Sequence, residues 1–203
     1  MKRLFVLLVL IVASISARAE TPVILVFGDS ISAGYGLRVA QGWVALLQTR
    51  LKDQEYGYQV INASVSGETT AGGLARLPRA LMLHQPRIVI LELGGNDGLR
   101  ALPIAQMRAN LASMVDLATA AGAKVLLLGM RMPPNYGPDF TEQFRLCYSD
   151  LAREKKLPLV PFLLQDIALS PALMQADGIH PNEHGQPKLL DNVWPSLKPL
   201  LHR

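Results

Sequence analysis

Five short runs of apolar residues, each followed by a longer amphipathic stretch, limit this chain to few folds. At least the first four runs are continuously apolar, which is typical of parallel strands buried on both faces. Strands that alternate with helices predict an α/β fold, here a doubly wound, five-stranded parallel sheet between two helical layers. We expect the flavodoxin-like strand order 2-1-3-4-5. The five runs are Val23 to Phe27, Tyr58 to Ile61, Arg87 to Leu93, Lys124 to Met130 and Leu157 to Pro161.

Apolar residues at helical spacing separate these runs, and they predict the helices that cover the sheet. A closing helix is expected from Glu183 onward, broken near Pro195. No internal repeat or linker-like change of composition occurs, so we expect a single domain over residues 20–203. The spaced residues are Trp43, Leu46, Leu47 and Leu51; Leu74, Leu77 and Leu81; Met107, Leu111, Met114, Val115 and Ala118; and Phe144, Tyr148 and Leu151.

The first 19 residues have the pattern of a secretory signal peptide. Lys2 and Arg3 precede an apolar run over residues 4–13, and Ala17, Arg18 and Ala19 form an A-x-A cleavage site. The apolar run is well short of the ~20 residues that a membrane-spanning helix requires, so a permanent anchor is disfavoured. The sequence predicts cleavage after Ala19 and export to the periplasm or the medium.

Charge and cysteine content exclude several classes of function. The formal net charge of the chain is +4, and Lys2, Arg3 and Arg18 lie in the predicted signal peptide, so the mature chain carries 4 − 3 = +1. No basic run remains that would favour a nucleic acid partner. Cys147 is the single cysteine, which excludes an intramolecular disulfide, a paired-cysteine zinc site and a Cys-x-x-Cys redox motif.

Four polar, glycine-containing clusters follow predicted strands. Ligands of open α/β sheets bind at the carboxyl ends of the strands, so we expect these clusters to form one site. The last cluster follows strand five, about three strand spacings of ~4.8 Å from strand one, and reaches the first cluster only if residues 162–179 cross back over the sheet. The clusters are Gly28 to Gly34, Asn62 to Thr69, Gly94 to Asp97 and Asp177 to Asn182.

These clusters resemble the four sequence blocks of the SGNH (GDSL) hydrolases, in the family's order. The matching motifs are G-D-S, the Gly67 loop, G-G-N-D and D-G-I-H-P-N. The resemblance spans nearly the whole mature chain. Ile31 stands where the family's name suggests leucine, a mild apolar departure. The resemblance implies the SGNH hydrolase fold and an exported serine hydrolase of esters and thioesters, an esterase, thioesterase or lysophospholipase. It implies no cofactor and no metal, and the sequence carries no sign of oligomeric state.

An ester hydrolase needs a nucleophile, a base held in one tautomer, and hydrogen-bond donors for the oxyanion. Ser30 is the candidate nucleophile, with a helix N-cap as its alternative role. His180 is the candidate base, because Asp177 lies three residues before it and is close enough to fix the imidazole. The candidate oxyanion donors are the Ser30 and Gly67 N–H groups and the Asn96 amide. Gly67 and Asn96 are also common turn residues.

Asp29 and Asp97 flank the candidate nucleophile and the candidate amide donor. We expect each to cap a helix or brace its own loop rather than to serve as the acid of the triad.

A trough of apolar side chains is expected to bind the acyl group. Flexible methionine and leucine walls suit an alkyl chain, which predicts a preference for medium or long acyl groups. The alternatives are a buried strand end without a trough and, for function, a small-acyl or carbohydrate deacetylase. The trough residues are Leu74, Leu77, Leu81, Met130, Met132, Pro133, Tyr136, Met174 and Ile179.

Two other classes of protein would use the same residues for a different function. His180, Glu183 and His184 match the H-x-x-E-H pattern of a group of zinc metallopeptidases, although Pro181 would leave His180 outside the helix. A non-catalytic periplasmic binding module would use the same cleft without turnover at Ser30. The Asn62-Ala63-Ser64 glycosylation pattern is interpreted as structural.

Overall fold

The computed structural model describes residues 21–202, so the predicted signal peptide lies outside the described residues. Five strands form one sheet of order 2-1-3-4-5, and all four pairings are parallel, as expected. This confirms the predicted fold class. The strands are β1 (Val23–Gly28), β2 (Gln59–Asn62), β3 (Ile88–Glu92), β4 (Lys124–Leu128) and β5 (Leu159–Val160).

The central and edge strands of the sheet differ in burial and in length. The central strands β1 and β3 are almost entirely enclosed, with Ile24 through Phe27 at 0% exposure, whereas β2 lies at an edge and is only partly covered. At the other edge, β5 is two residues long, shorter than the predicted run 157–161. Pro158 and Pro161 bound it, and proline has no N–H to donate to a strand partner.

Helices cover both faces of the sheet. The helices α2 and α7 pack together on one face, and α3, α5 and α6 pack side by side on the other. This division follows from right-handed crossovers, because the chain moves one way from β1 to β2 and the other way from β2 to β5. The helices are α1 (Ser30–Ala33), α2 (Trp43–Asp53), α3 (Thr70–His84), α4 (Gly95–Leu99), α5 (Ile104–Ala120), α6 (Pro138–Lys155) and α7 (Gln186–Leu197).

The last helix differs from its prediction at both ends. It begins at Gln186 rather than Glu183, because the Asn182 side chain accepts the His184 and Gly185 N–H groups at 2.9 and 3.2 Å and holds a turn there. It also continues past Pro195 to Leu197. Pro195 lies in the last turn, where its missing N–H costs only one helical hydrogen bond.

The segment between β5 and α7 crosses back over the sheet, as the predicted convergence of the clusters requires. An antiparallel bridge between Met174 and Pro181 closes a small hairpin in this segment, and α7 then packs on α2. The hairpin carries Asp177 and His180 to the end of β1. Within residues 21–202, no helix combines the length and the apolar composition needed to cross a bilayer.

Candidate active site

Ser30 lies in a tight turn where β1 ends and the four-residue helix α1 begins. Asp29, not Ser30, is the N-cap residue, and its Oδ1 accepts the Ile31 N–H at 3.0 Å. Asp29 therefore caps a helix as expected. The structure assigns no N-cap role to Ser30, whose hydroxyl is directed at His180 instead.

Ser30, His180 and Asp177 form a chain of short hydrogen bonds. His180 Nε2 lies 2.8 Å from Ser30 Oγ, and His180 Nδ1 lies 2.7 Å from Asp177 Oδ2. Asp177 Oδ1 also accepts the main-chain N–H groups of Ile179 and His180 at 2.9 and 3.0 Å. Desolvation works to raise the pKa of Asp177, but hydrogen bonds from His180 and Ile179 outweigh it and lower the pKa to about 2. Asp177 is thus an anion that fixes the Nδ1–H tautomer of His180.

Asn96 joins the Gly67 loop to the nucleophile turn. Its Nδ2 donates to Asp29 Oδ2 at 3.1 Å and to the Glu68 carbonyl at 3.0 Å. Gly67 has a φ of +78°, a conformation that glycine adopts without strain, and its carbonyl accepts from Arg100 at 3.1 Å. Both hydrogens of the Asn96 amide have protein acceptors, so an oxyanion would share one of them or displace the Glu68 carbonyl.

Asp97 braces the start of α3, as expected for a carboxylate outside the triad. Its two oxygens accept the N–H and the hydroxyl of Thr70 at 2.8 and 2.5 Å. Asn110 on α5 completes this buried group by donating to the Thr70 hydroxyl at 3.1 Å. The contacts tie α3, α4 and α5 together next to Asn96.

A second acid, Glu92, lies beneath the nucleophile turn and was not found from the sequence. It is fully buried at the end of β3, and its Oε2 accepts the Asp29 N–H at 3.2 Å and the Ser32 hydroxyl at 2.7 Å. Burial and the neighbouring Asp29 raise the pKa of Glu92 well above its usual range, and burial raises the pKa of Asp29 to about 6. Burial thus favours the neutral form of Glu92. A single acid in the apolar run Ile88 to Leu93 was the available signal.

The proposed trough residues fall into two groups. Five of them are packed in the interior, because α3 turns Leu77 and Leu81 toward the sheet, and Met130, Met132 and Met174 close the core near the strand ends. Leu74 and Tyr136 are half-buried, and only Pro133 and Ile179 are exposed. Leu77 and Leu81 thus offer no surface to a substrate, since helical spacing alone does not separate the face toward the core from a face toward the cleft.

A groove of about 370 Å³ lies beyond the ends of β4 and β5, and Arg131, Phe162 and Leu169 are among its lining residues. None of the predicted trough residues lines it. Two exposed apolar residues lie beside His180: Tyr35, whose ring centroid is 4.6 Å from that of His180, and Ile179, which precedes His180.

The zinc alternative does not fit this arrangement. Both ring nitrogens of His180 are occupied by Ser30 and Asp177, and His184 lies before α7 with its side chain in solvent. In the described part of the chain, no three histidine, cysteine, aspartate or glutamate side chains are grouped as a metal site requires.

Comparisons with known proteins agree on one family. Residues 26–187 match the model of the GDSL-like lipase/acylhydrolase family. The Pseudomonas aeruginosa protein named Esterase TesA is 56% identical over 194 residues, 96% of each chain. The Escherichia coli protein named Thioesterase 1/protease 1/lysophospholipase L1 is 43% identical over 187 residues, 92% of this chain and 88% of its own.

Solved structures show the same relationship in three dimensions. The crystal structure of the psychrotrophic esterase EstA from Pseudoalteromonas, inhibited by monoethylphosphonate, superposes with a TM-score of 0.84 at 40% identity, covering 87% of this chain and 97% of that one. A crystal structure of TesA superposes with a TM-score of 0.87 at 58% identity, covering 88% and 99%. Sequence blocks, sheet order and these likenesses lead to one conclusion: the chain belongs to the GDSL-like lipase/acylhydrolase family, the SGNH hydrolases, and is a hydrolase.

Proposed function

We propose that this hydrolase cleaves carboxylic esters and thioesters through a Ser30–His180–Asp177 triad. The observation that carries the proposal is the continuous hydrogen-bond chain, 2.8 Å from Ser30 Oγ to His180 Nε2 and 2.7 Å from His180 Nδ1 to Asp177. A serine hydroxyl is a weak nucleophile alone and becomes reactive when an oriented base accepts its proton. Relatives named esterase and thioesterase support the same chemistry.

The reaction has two halves. Ser30 Oγ attacks the acyl carbon while His180 Nε2 takes the hydroxyl proton, and His180 then gives that proton to the departing alcohol or thiol, leaving an acyl-serine. Water attacks the acyl-serine with His180 again as base, which releases the carboxylic acid and restores the serine. Asp177 stays ionised throughout and stabilises the imidazolium.

The oxyanion that forms in each half needs donors close to Ser30. We assign these to the Ser30 and Gly67 N–H groups and to the Asn96 amide. Their convergence is supported by the Asn96 contacts, which connect the nucleophile turn at Asp29 to the loop at Glu68. A donor positioned by such contacts needs little reorganisation when charge develops.

The proposed substrates carry medium or long acyl groups, as in lysophospholipids, fatty acyl thioesters or aryl esters. A relative named thioesterase and lysophospholipase supports this class. Tyr35 and Ile179, exposed by 53% and 42%, offer apolar surface beside His180 to the acyl chain or to an apolar leaving group. The buried positions of Leu77 and Leu81 favour the competing function, a small-acyl or carbohydrate deacetylase, because they remove part of the predicted trough.

An acyl-length series separates these two functions. Aryl esters from acetyl to palmitoyl are assayed below their micelle concentrations with the wild type, Ser30→Ala and chelator-treated enzyme. We expect kcat/KM to rise with length by up to about fourfold per methylene, no activity in Ser30→Ala, and no effect of chelator. Fastest hydrolysis of acetyl would favour the deacetylase, and chelator-sensitive activity restored by zinc would favour the metallopeptidase.

We also propose that the enzyme is exported. The support is the signal pattern ending at Ala19, and the test is the intact mass of the protein from the periplasm or medium. The expected product begins at Glu20. A membrane-embedded product that retains Met1 would contradict export.

A further inference from the structure

His180 and Ser30 are 150 residues apart in the chain, and the hydrogen bond between them is lost when Ser30 reacts. Once Ser30 Oγ is acylated, it no longer donates to His180, yet His180 must stay in place to activate water. Other contacts must therefore hold the hairpin that carries His180 against the turn that carries Ser30.

Gln175 lies at the base of that hairpin. Its main-chain N–H donates to the His180 carbonyl at 2.7 Å, and its carbonyl accepts the Gly178 N–H at 3.0 Å. These two bonds close the turn around Asp177 and His180, so the position of Gln175 determines the position of both side chains.

The Gln175 side chain reaches from this hairpin to the other half of the site. Its Nε2 donates to the Tyr35 carbonyl at 2.8 Å and to the Pro181 carbonyl at 3.1 Å. The Tyr35 N–H in turn donates to the Ser30 carbonyl at 3.0 Å, and the Tyr35 ring packs on the His180 ring with centroids 4.6 Å apart. Tyr35 and Gln175 thus connect the nucleophile to the base by a path that does not use the reactive bond.

Gly36 leaves room for this path. Its φ is +76°, and a Cβ at this position would lie 2.4 Å from Gln175 Oε1. Any other residue would therefore push the Gln175 amide away from Tyr35. Position 36 offers an independent way to disturb the contact without touching Gln175.

We propose that Gln175 and Tyr35 are positioning residues, a Tyr35–Gln175 clamp that keeps His180 aligned over Ser30 through both halves of the reaction. The proposal rests on the hydrolase function proposed above. Two further links join the same segments farther from His180: Gln41 Nε2 to Glu183 at 2.7 Å, and the Trp43 N–H to the buried Gln186 Oε1 at 2.9 Å. These links should preserve the fold when the clamp is removed.

The test compares Gln175→Ala, Tyr35→Ala and Tyr35→Phe with the wild type. Gln165→Ala is the matched control, because Gln165 is an exposed glutamine whose side chain donates to the adjacent Asp166. We expect kcat to fall about 10- to 100-fold in Gln175→Ala and Tyr35→Ala, because small misplacements of a base cost rate rather than binding. KM should stay within about twofold in Gln175→Ala, whereas Tyr35→Ala also removes apolar surface beside His180 and should raise KM. Tyr35→Phe keeps the ring and should retain kcat within about threefold.

The readout must distinguish alignment from loss of folding and from failure of the proposed function. The melting temperature and the rate of Ser30 phosphonylation are measured for each variant, with Gly36→Ala as a second route if Gln175→Ala does not fold. Equal losses in phosphonylation rate and kcat at an unchanged melting temperature support the clamp. Wild-type kcat in Gln175→Ala and Tyr35→Ala would overturn it, whereas a wild type inactive on every ester would overturn the proposed function.

Discussion

Acidic residues lie on two sides of Ser30, and their pKa values are shifted in opposite directions. The front group is Asp177 with His180, and the back group is Asp29 with Glu92. In front, desolvation works to raise the pKa of Asp177, but the hydrogen bonds that it receives from His180 and Ile179 outweigh this and lower the pKa to about 2. Behind, burial of Asp29 raises its pKa to about 6, and burial also raises the pKa of Glu92 well above its usual range. The pKa values of the two aspartates, Asp177 and Asp29, are thus shifted in opposite directions, because hydrogen bonding dominates at Asp177 and desolvation dominates at Asp29.

The difference separates two tasks. In the proposed mechanism the front group moves protons, and it needs a permanent anion to stabilise imidazolium and access to water for the second half of the reaction. The back group holds the nucleophile turn, because Glu92 accepts the Asp29 N–H and the Ser32 hydroxyl, and burial disfavours a full charge on Glu92 near the oxyanion. Changes in front should therefore affect kcat, and changes behind should mainly affect stability and its pH dependence.

The largest expected effect comes from the front. Asp177→Asn should lower kcat about 10⁴-fold, because the amide favours the wrong His180 tautomer and cannot stabilise imidazolium. Steady-state kinetics on an aryl ester measure this, and circular dichroism checks that the fold is kept. A loss below tenfold would mean that another acid serves His180.

The second-largest effect is expected at Asn96, which lies between the front and back groups. Asn96→Ala should lower kcat about 10²- to 10³-fold with a small change in KM, since the lost donor is stronger for the oxyanion than for the substrate carbonyl. Asn96→Asp keeps the size but removes the donor, and it should be equally impaired. A tenfold rise in KM at constant kcat would show instead that Asn96 only binds substrate.

A smaller effect is expected behind Ser30. The folded pKa of Glu92 is raised above its unfolded value, so the native state binds the extra proton and wild-type stability falls as pH rises above about 4.5. Glu92→Gln removes this titration, and its unfolding free energy should fall less steeply from pH 5 to pH 8, by up to about 1.4 kcal/mol per pH unit. Urea denaturation across this range measures the slopes.

The matched control for that slope is Glu55→Gln, a substitution of an exposed glutamate after α2. Its slope should equal that of the wild type. Parallel slopes for Glu92→Gln and the wild type would show that Glu92 is ionised, and the contrast between the front and back groups would fail.

The smallest effect is expected at Ile31, which stands where the family's name suggests leucine. Ile31→Leu conserves volume at a buried position next to Ser30, so it should change kcat less than about threefold and stability by less than about 1.5 kcal/mol. The same assay and denaturation curves measure both. A large loss would mean that the shape of the nucleophile turn depends on a β-branched residue.

Sequence reasoning succeeded where a local signal existed. The apolar runs predicted all five strands and their order, and the strand-end clusters identified the residues that the structure brings together at Ser30, Gly67, Asn96 and His180. It was wrong about the start of α7, because the turn at Asn182 depends on side-chain hydrogen bonds that no periodicity reveals.

The features that the sequence does not reveal depend on contacts between residues that are far apart in the chain. Glu92 was hidden inside an apolar run, and Tyr35 and Gln175 become neighbours only after the chain crosses back over the sheet. The spacing of Leu77 and Leu81 predicts a helix face but not whether that face meets the core or the predicted trough. Such assignments require the packed structure.

The central claim is that Ser30 is the nucleophile activated by His180, and covalent labelling tests it most directly. The wild type is treated with an alkyl phosphonate ester that carries a good leaving group, and the labelled peptide is mapped by mass spectrometry. We predict one phosphonyl group per chain, on Ser30, with hydrolysis lost in proportion to labelling and no adduct in Ser30→Ala. An unlabelled enzyme that continues to hydrolyse esters, or an adduct on another residue that abolishes activity, would contradict the account.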